Sequence, residues 1–110
     1  MSNSTFSYKI YGNSGFVLID FQKYVKKPYK AKYVSEKNEP DLCFILQKKG
    51  RLIYGDIGKL ESPDNKTLKL IFRDEIPKED INYFQNVLDK LIERNKQEQM
   101  SVEGMIKKTE

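Results

Sequence analysis

The sequence predicts an α+β domain: an antiparallel sheet of five to six strands, built from hairpins, with one C-terminal amphipathic helix packed on one face. Short segments rich in aromatic and β-branched residues, separated by turn residues, extend from residue 6 to residue 73, and this pattern is typical of strands. After Pro77 the apolar spacing changes from two residues to about 3.6, which is typical of a helix buried along one side. A chain of 110 residues has room for a single core.

The first half of the chain predicts two strands joined as a hairpin. Phe6, Tyr8 and Ile10 alternate along a first strand and would share one face. Residues 12–15 combine glycine and asparagine, which tolerate the positive φ of tight turns. Residues 16–21 are apolar on both faces, so they predict a central strand.

The later strands are predicted from the same alternation and turn signals. Residues 22–33 form an edge strand or a loop, because Pro28 interrupts a regular ladder. A polar stretch at 35–40 leads to a strand at 42–47, a turn at 48–50 and a return strand at 51–57. Residues 62–65 form a turn, and residues 67–73 form the last strand.

The helix is predicted from Pro77 to Gln97 by an apolar stripe. Pro77 suits the first helical position, and the acids that follow it complement the positive end of the helix dipole. The domain is therefore expected to span residues 1–97. Residues 98–110 are expected to form a mobile or partner-docking tail, because they carry few apolar residues.

The basic residues are concentrated in the first half of the chain. The net charge is +4, and residues 22–33 contain lysines and tyrosines but no acid. Ammonium groups neutralise phosphates and rings stack on unpaired bases, so this composition favours single-stranded DNA or RNA as the partner. The candidate binding residues are Lys23, Tyr24, Lys26, Lys27, Tyr29, Lys30, Lys32 and Tyr33 in this segment, Lys9, Tyr11, Lys69 and Arg73 on the expected open face, and Lys48, Lys49 and Arg51 at a hairpin tip.

Residues 15–24, Gly-Phe-Val-Leu-Ile-Asp-Phe-Gln-Lys-Tyr, resemble the second strand of the transcriptional coactivator family named after positive cofactor four. In that family a Val-Leu-Ile-Asp sequence leads into a basic and aromatic segment, and a late strand precedes an amphipathic helix, as residues 68–73 and Pro77 do here. The resemblance implies single-stranded DNA binding by a homodimer, with curved antiparallel sheets and helices that contribute to dimerisation. Residues 34–60 add an extra hairpin to that pattern.

The residues for the common catalytic and metal sites are missing from the sequence. It has no histidine and one cysteine, Cys43, which lies in an apolar segment and is expected to be buried. A zinc site, a Ser-His-Asp triad and a Cys-His pair are therefore excluded, and we expect neither an enzyme nor a cofactor. No segment has the length of a membrane span or the pattern of a secretory signal, so a cytoplasmic location is expected.

Two other functions fit the same observations. One is a small protein-binding module or inhibitor of the phage or mobile-element type, whose basic face acts on a host protein. The other is a barrel similar to pleckstrin-homology domains, whose lysines would contact an anionic ligand such as a phosphoinositide. The tyrosines distinguish a nucleic-acid strand from a generic polyanion, because unpaired bases would stack on their rings.

Overall fold

The computed structural model describes the chain over residues 4–34 and 40–109. Its elements are β1 (Ser4–Lys9), α1 (Ser14–Tyr24), β2 (Tyr29–Tyr33), β3 (Leu42–Lys49), β4 (Tyr54–Asp64), β5 (Thr67–Phe72) and α2 (Lys78–Thr109). The five strands form one antiparallel sheet in the order β1-β5-β4-β3-β2. The predicted fold class, an antiparallel sheet with a C-terminal helix packed on one face, is confirmed. Residues 35–39, most of the expected polar stretch, lie outside the described residues.

The core lies between the sheet and its two helices, on the side that we call the inner face. Leu68, Leu70 and Phe72 alternate along β5 and are fully buried there. α2 presents the stripe Phe84, Leu88 and Leu91 to them, each also buried. Burying a leucine or phenylalanine side chain contributes about 1.5–3 kcal/mol, so this layer is the main source of stability.

The predicted strand at 16–21 is wrong, because these residues lie in α1. The Asn13 side chain accepts a hydrogen bond from the Gly15 N–H at 2.8 Å and thereby caps the helix. Ser14, Val17 and Phe21 are buried at helical spacing, and the Phe21 ring lies 5.4 Å from that of Phe44 on the inner face. A short, mainly apolar segment has the composition of either a buried strand or a buried helix, and the tertiary packing selects the helix.

The predicted first hairpin is wrong for the same reason. β1 instead pairs with β5, with Phe6 opposite Leu70 and Tyr8 opposite Leu68. α1 then carries the chain from β1, at one edge of the sheet, to β2 at the other edge. Residues 15–24, on which the family resemblance rests, are therefore not in a strand.

Several boundaries also differ from those predicted. β4 begins at Tyr54 instead of residue 51 and extends to Asp64, through most of the turn expected at 62–65. The helix α2 begins one residue after Pro77 and continues to Thr109, beyond the expected end at Gln97. The division of the chain at residue 97 into a domain and a tail stays a prediction.

Candidate functional site

The side of the sheet opposite the helices, which we call the outer face, is uncovered within the described part of the chain. Its basic side chains come from all five strands, because alternate residues of each strand point to this side. Four strand spacings of about 4.8 Å give the sheet a width of about 19 Å. The outer face is defined by Lys9, Lys30, Lys32, Lys49, Tyr54, Lys59, Lys69 and Arg73.

Two carboxylates among these lysines are already occupied. Glu61 pairs with Lys59, with 3.2 Å between Oε2 and Nζ. Asp56 accepts a hydrogen bond from the Gln47 side chain at 2.7 Å. Lys32, Lys69 and Arg73 form no ion pair with any residue that the structure describes. The outer face therefore presents a net positive surface to an incoming anion.

A shallow hollow and one aromatic ring lie within this basic surface. The hollow has a volume of about 220 Å³, with Ile45 and Ile71 among its lining residues and Lys59 and Arg73 beside them. The half-buried Tyr54 ring lies next to it in the sheet, and the Lys30 Nζ atom is 5.5 Å from the centre of this ring. The arrangement offers cations for phosphates together with flat and apolar surface for bases.

The three tyrosines that the sequence pattern favours are not on the outer face. Tyr29 is on the inner face, where its ring stacks on Tyr83 at 4.1 Å and its hydroxyl donates to Asp80 at 2.6 Å. Burial, together with this hydrogen bond, holds the pKa of Tyr29 well above its usual range. Tyr33 is 64% exposed and touches Phe44 edge-on, so it borders the inner face at the sheet edge.

Tyr24 belongs to the helical layer. It ends α1, and its hydroxyl accepts a hydrogen bond from the Arg94 guanidinium of α2. The guanidinium carbon of Arg94, Cζ, lies 5.8 Å from the centre of the Tyr24 ring. The rings of Tyr24 and Tyr29 are therefore used for packing between elements, and Lys30 and Lys32 are the members of the basic segment that reach the outer face.

The remaining predicted residues are divided between several surfaces. Lys48 is on the inner face and pairs with the buried Asp80 at 2.9 Å, and this hydrogen bond raises the pKa of Lys48. Lys23 is exposed on α1. Tyr11 lies between β1 and α1, and its carbonyl oxygen accepts a hydrogen bond from the Asn95 side chain of α2 at 3.0 Å. Lys26 and Lys27 before β2 and Arg51 at the β3–β4 tip are exposed at the same end of the sheet, because Tyr29 of β2 pairs with Lys48 of β3.

Sequence reasoning misses Lys59 and Tyr54. The strand predicted at 51–57 includes Tyr54 but ends before Lys59, whereas both residues lie inside the long strand β4. The alternation of Lys59 and Glu61 with the apolar Leu60 is a signal that both charged residues lie on the outer face. Gly58 fits here because β5 passes so close that an added Cβ atom would lie 2.5 Å from the Ile71 carbonyl oxygen.

The described residues contain no cluster of side chains suited to a metal ion. Cys43 is half-buried, and burial raises the pKa of its thiol, so the reactive thiolate is disfavoured at neutral pH. No helix in the described part of the chain combines the length and apolar character needed to cross a membrane.

Comparison of the chain with protein-family models, with characterised proteins and with solved structures found no match.

Proposed function

We propose that this protein binds single-stranded DNA or RNA on the outer face of its sheet and catalyses no reaction on it. The observation that carries the proposal is an uncovered sheet face with basic side chains on every strand. Phosphates would lie against Lys30, Lys32, Lys69 and Arg73, and counterion release would supply most of the affinity. The homodimer and the cytoplasmic location expected from the sequence stay predictions.

A preference for single strands over duplex follows from Tyr54 and the hollow beside it. A ring and an apolar surface within a basic face can receive unpaired bases, which a duplex keeps stacked inside. The stacking ring is therefore Tyr54 in this proposal, in place of Tyr24 and Tyr29. One stacked base contributes about 1–3 kcal/mol, so the loss of this ring should weaken binding by about tenfold.

The test is the fluorescence anisotropy of a labelled oligonucleotide of about 20 thymidines, a length that exceeds most single-strand site sizes. Affinity should fall steeply as salt rises. In Lys32→Gln/Lys69→Gln the salt slope should decrease by about 0.7 for each phosphate that the variant no longer neutralises. The matched control, Lys78→Gln/Lys96→Gln, removes the same charge from exposed positions of α2 and should keep the wild-type slope. No binding at low salt, or equal effects of the two double variants, contradicts the proposal.

Tyr54→Leu separates stacking from charge. It should weaken binding to the same oligonucleotide without changing the salt slope, because it removes no charge. An unchanged affinity would mean that the outer face recognises a polyanion by charge alone.

A protein-binding function is the second candidate, and the β3–β4 tip favours it. Leu52 is 93% exposed and Ile53 is 76% exposed, next to the basic residue Arg51. An exposed apolar pair is a common feature of protein contacts. If this function is correct, the protein should retain a specific partner from nuclease-treated lysate, and Leu52→Ser/Ile53→Ser should release it. Loss of all partners after nuclease treatment contradicts it.

A further inference from the structure

A second site lies in the helical layer, on a different surface from the outer face. It is a groove of about 320 Å³ between the end of α1 and the exposed side of α2. This volume is at the lower end of the range for small-molecule sites, so the groove suits a small ligand. Its lining residues are Tyr24, Lys26, Tyr83, Val87, Lys90, Leu91 and Arg94.

The apolar floor of the groove is held in place by packing underneath it. The Tyr83 ring stacks on Tyr29 with an interplanar angle of 16° and meets Phe84 edge-on at 5.2 Å. The Tyr83 hydroxyl accepts a hydrogen bond from the Lys26 backbone N–H at 2.7 Å, which fixes the loop that forms one wall. Because these contacts fix the position of the floor, binding would need little reordering of it.

The charged residues of the groove are all basic. Lys26, Lys90 and Arg94 surround the apolar floor, and no carboxylate is among the lining residues. Neither Lys26 nor Lys90 takes part in an ion pair with the residues that the structure describes. Arg94 is oriented by two contacts, the Tyr24 hydroxyl and the Glu98 carboxylate, the latter at 3.1 Å. The groove therefore complements a ligand with an apolar body and a negative head group.

We propose that this groove binds a small amphipathic carboxylate. The apolar body lies on Tyr83, Val87 and Leu91, and the carboxylate meets the ammonium groups of Lys26 and Lys90. Arg94 contributes positive charge from the far end of the groove. This site shares no residue with the outer face, so the proposal does not depend on nucleic-acid binding and is tested separately from it.

The test uses decanoate and decyltrimethylammonium as probes, since they share an apolar chain and carry opposite charges. Titration of ¹⁵N-labelled protein should show decanoate shifting the amide signals of residues 83–94 and 24–26, and decyltrimethylammonium should cause no saturable shift. Lys90→Glu should weaken decanoate binding by about tenfold, because it replaces an attraction at the rim with a repulsion. Val87→Phe should also weaken it, because the larger ring fills the groove.

Lys96→Glu is the matched control, since it makes the same charge change at an exposed position of α2 outside the groove. It should leave decanoate affinity within about twofold of wild type. Circular dichroism confirms that each variant is folded. The proposal is overturned by no saturable decanoate shifts, shifts centred elsewhere, equal binding of the two probes, or equal effects of the two charge reversals. Tighter binding of adenosine monophosphate than of decanoate in the same groove also overturns it, because the ligand would then be a nucleotide.

Discussion

Gly58→Ala tests the close approach of β4 and β5 beneath the outer face. The new methyl group would lie 2.5 Å from the Ile71 carbonyl oxygen and 3.1 Å from the Phe72 Cα atom. Both are backbone atoms of a strand in the middle of the sheet, so no side chain can rotate away. Restoring an ordinary contact of 3.4 Å requires the two strands to separate by roughly 0.9 Å at this point.

The expected change in the free energy of unfolding is the difference between two opposing contributions. Overpacking of this kind costs about 1–3 kcal/mol of folding free energy. Replacing glycine by alanine also restricts the unfolded chain, which returns about 0.4–1 kcal/mol. The expected net loss is about 1–2 kcal/mol, or roughly 4–15 °C in melting temperature for a domain of this size.

The assay is urea unfolding and thermal melting followed by far-ultraviolet circular dichroism, which suits a chain without tryptophan. Gly55→Ala is the control in the same strand, because nothing lies within 4 Å of its added Cβ. Its stability should be unchanged or raised by up to about 1 kcal/mol. If Gly58→Ala is as stable as Gly55→Ala, the proposed strand contact is wrong.

Two further predictions concern α1 and the Asp80 cluster. Asn13→Ala should lower the free energy of unfolding, measured in urea, by about 1 kcal/mol, because the Gly15 N–H loses its acceptor. Asn13→Asp should retain most of the stability, because its carboxylate can accept the same hydrogen bond. Equal stability of the wild type and Asn13→Ala would contradict the role of the cap. The pKa values of Tyr29 and Lys48 are raised in the folded state, so their stabilising contribution is complete below the unfolded values of 10.0 and 10.5 and is lost as pH rises through the folded values. Urea unfolding between pH 7 and 11 should therefore show a decline that begins near pH 9, where the Cys43 thiol ionises in the unfolded chain, and steepens above about pH 10. Tyr29→Phe should make the part above pH 10 shallower; an equal decline in the variant refutes the role of Tyr29.

The later strands and α2 are predictable from the sequence because their periodicity is clear. Leu68, Leu70 and Phe72 alternate, and Phe84, Leu88 and Leu91 repeat at helical spacing, so each pattern matches one structure. Residues 16–21 contain a single polar residue, Asp20, which does not by itself distinguish period two from period 3.6. Their helical structure depends on the burial of Val17 and Phe21 against the sheet and on the Asn13 cap, whereas the sequence pattern alone places that asparagine in a hairpin turn.

The positive charge of the candidate site is predictable from the sequence, whereas the positions of its aromatic rings are less so. If residues 29–33 form an edge strand, the alternation of Lys30 and Lys32 with the apolar Ala31 correctly predicts that both lysines lie on the face opposite the core. The sequence misplaces Tyr29 and Lys48 because their partner is Asp80, which is distant in the sequence and becomes a neighbour only when α2 packs on the sheet. A basic and aromatic segment of sequence is therefore divided by the fold into a core part and a surface part.

The most direct test of nucleic-acid binding on the outer face is chemical-shift mapping of ¹⁵N-labelled protein with an unlabelled oligonucleotide of about 20 thymidines at low salt. The backbone and lysine side-chain signals of β2–β5 should shift, with the largest changes at Lys30, Tyr54, Lys69 and Arg73, and they should return as salt is added. Shifts confined to α1 and α2, or no shifts at low salt, would contradict binding at the outer face.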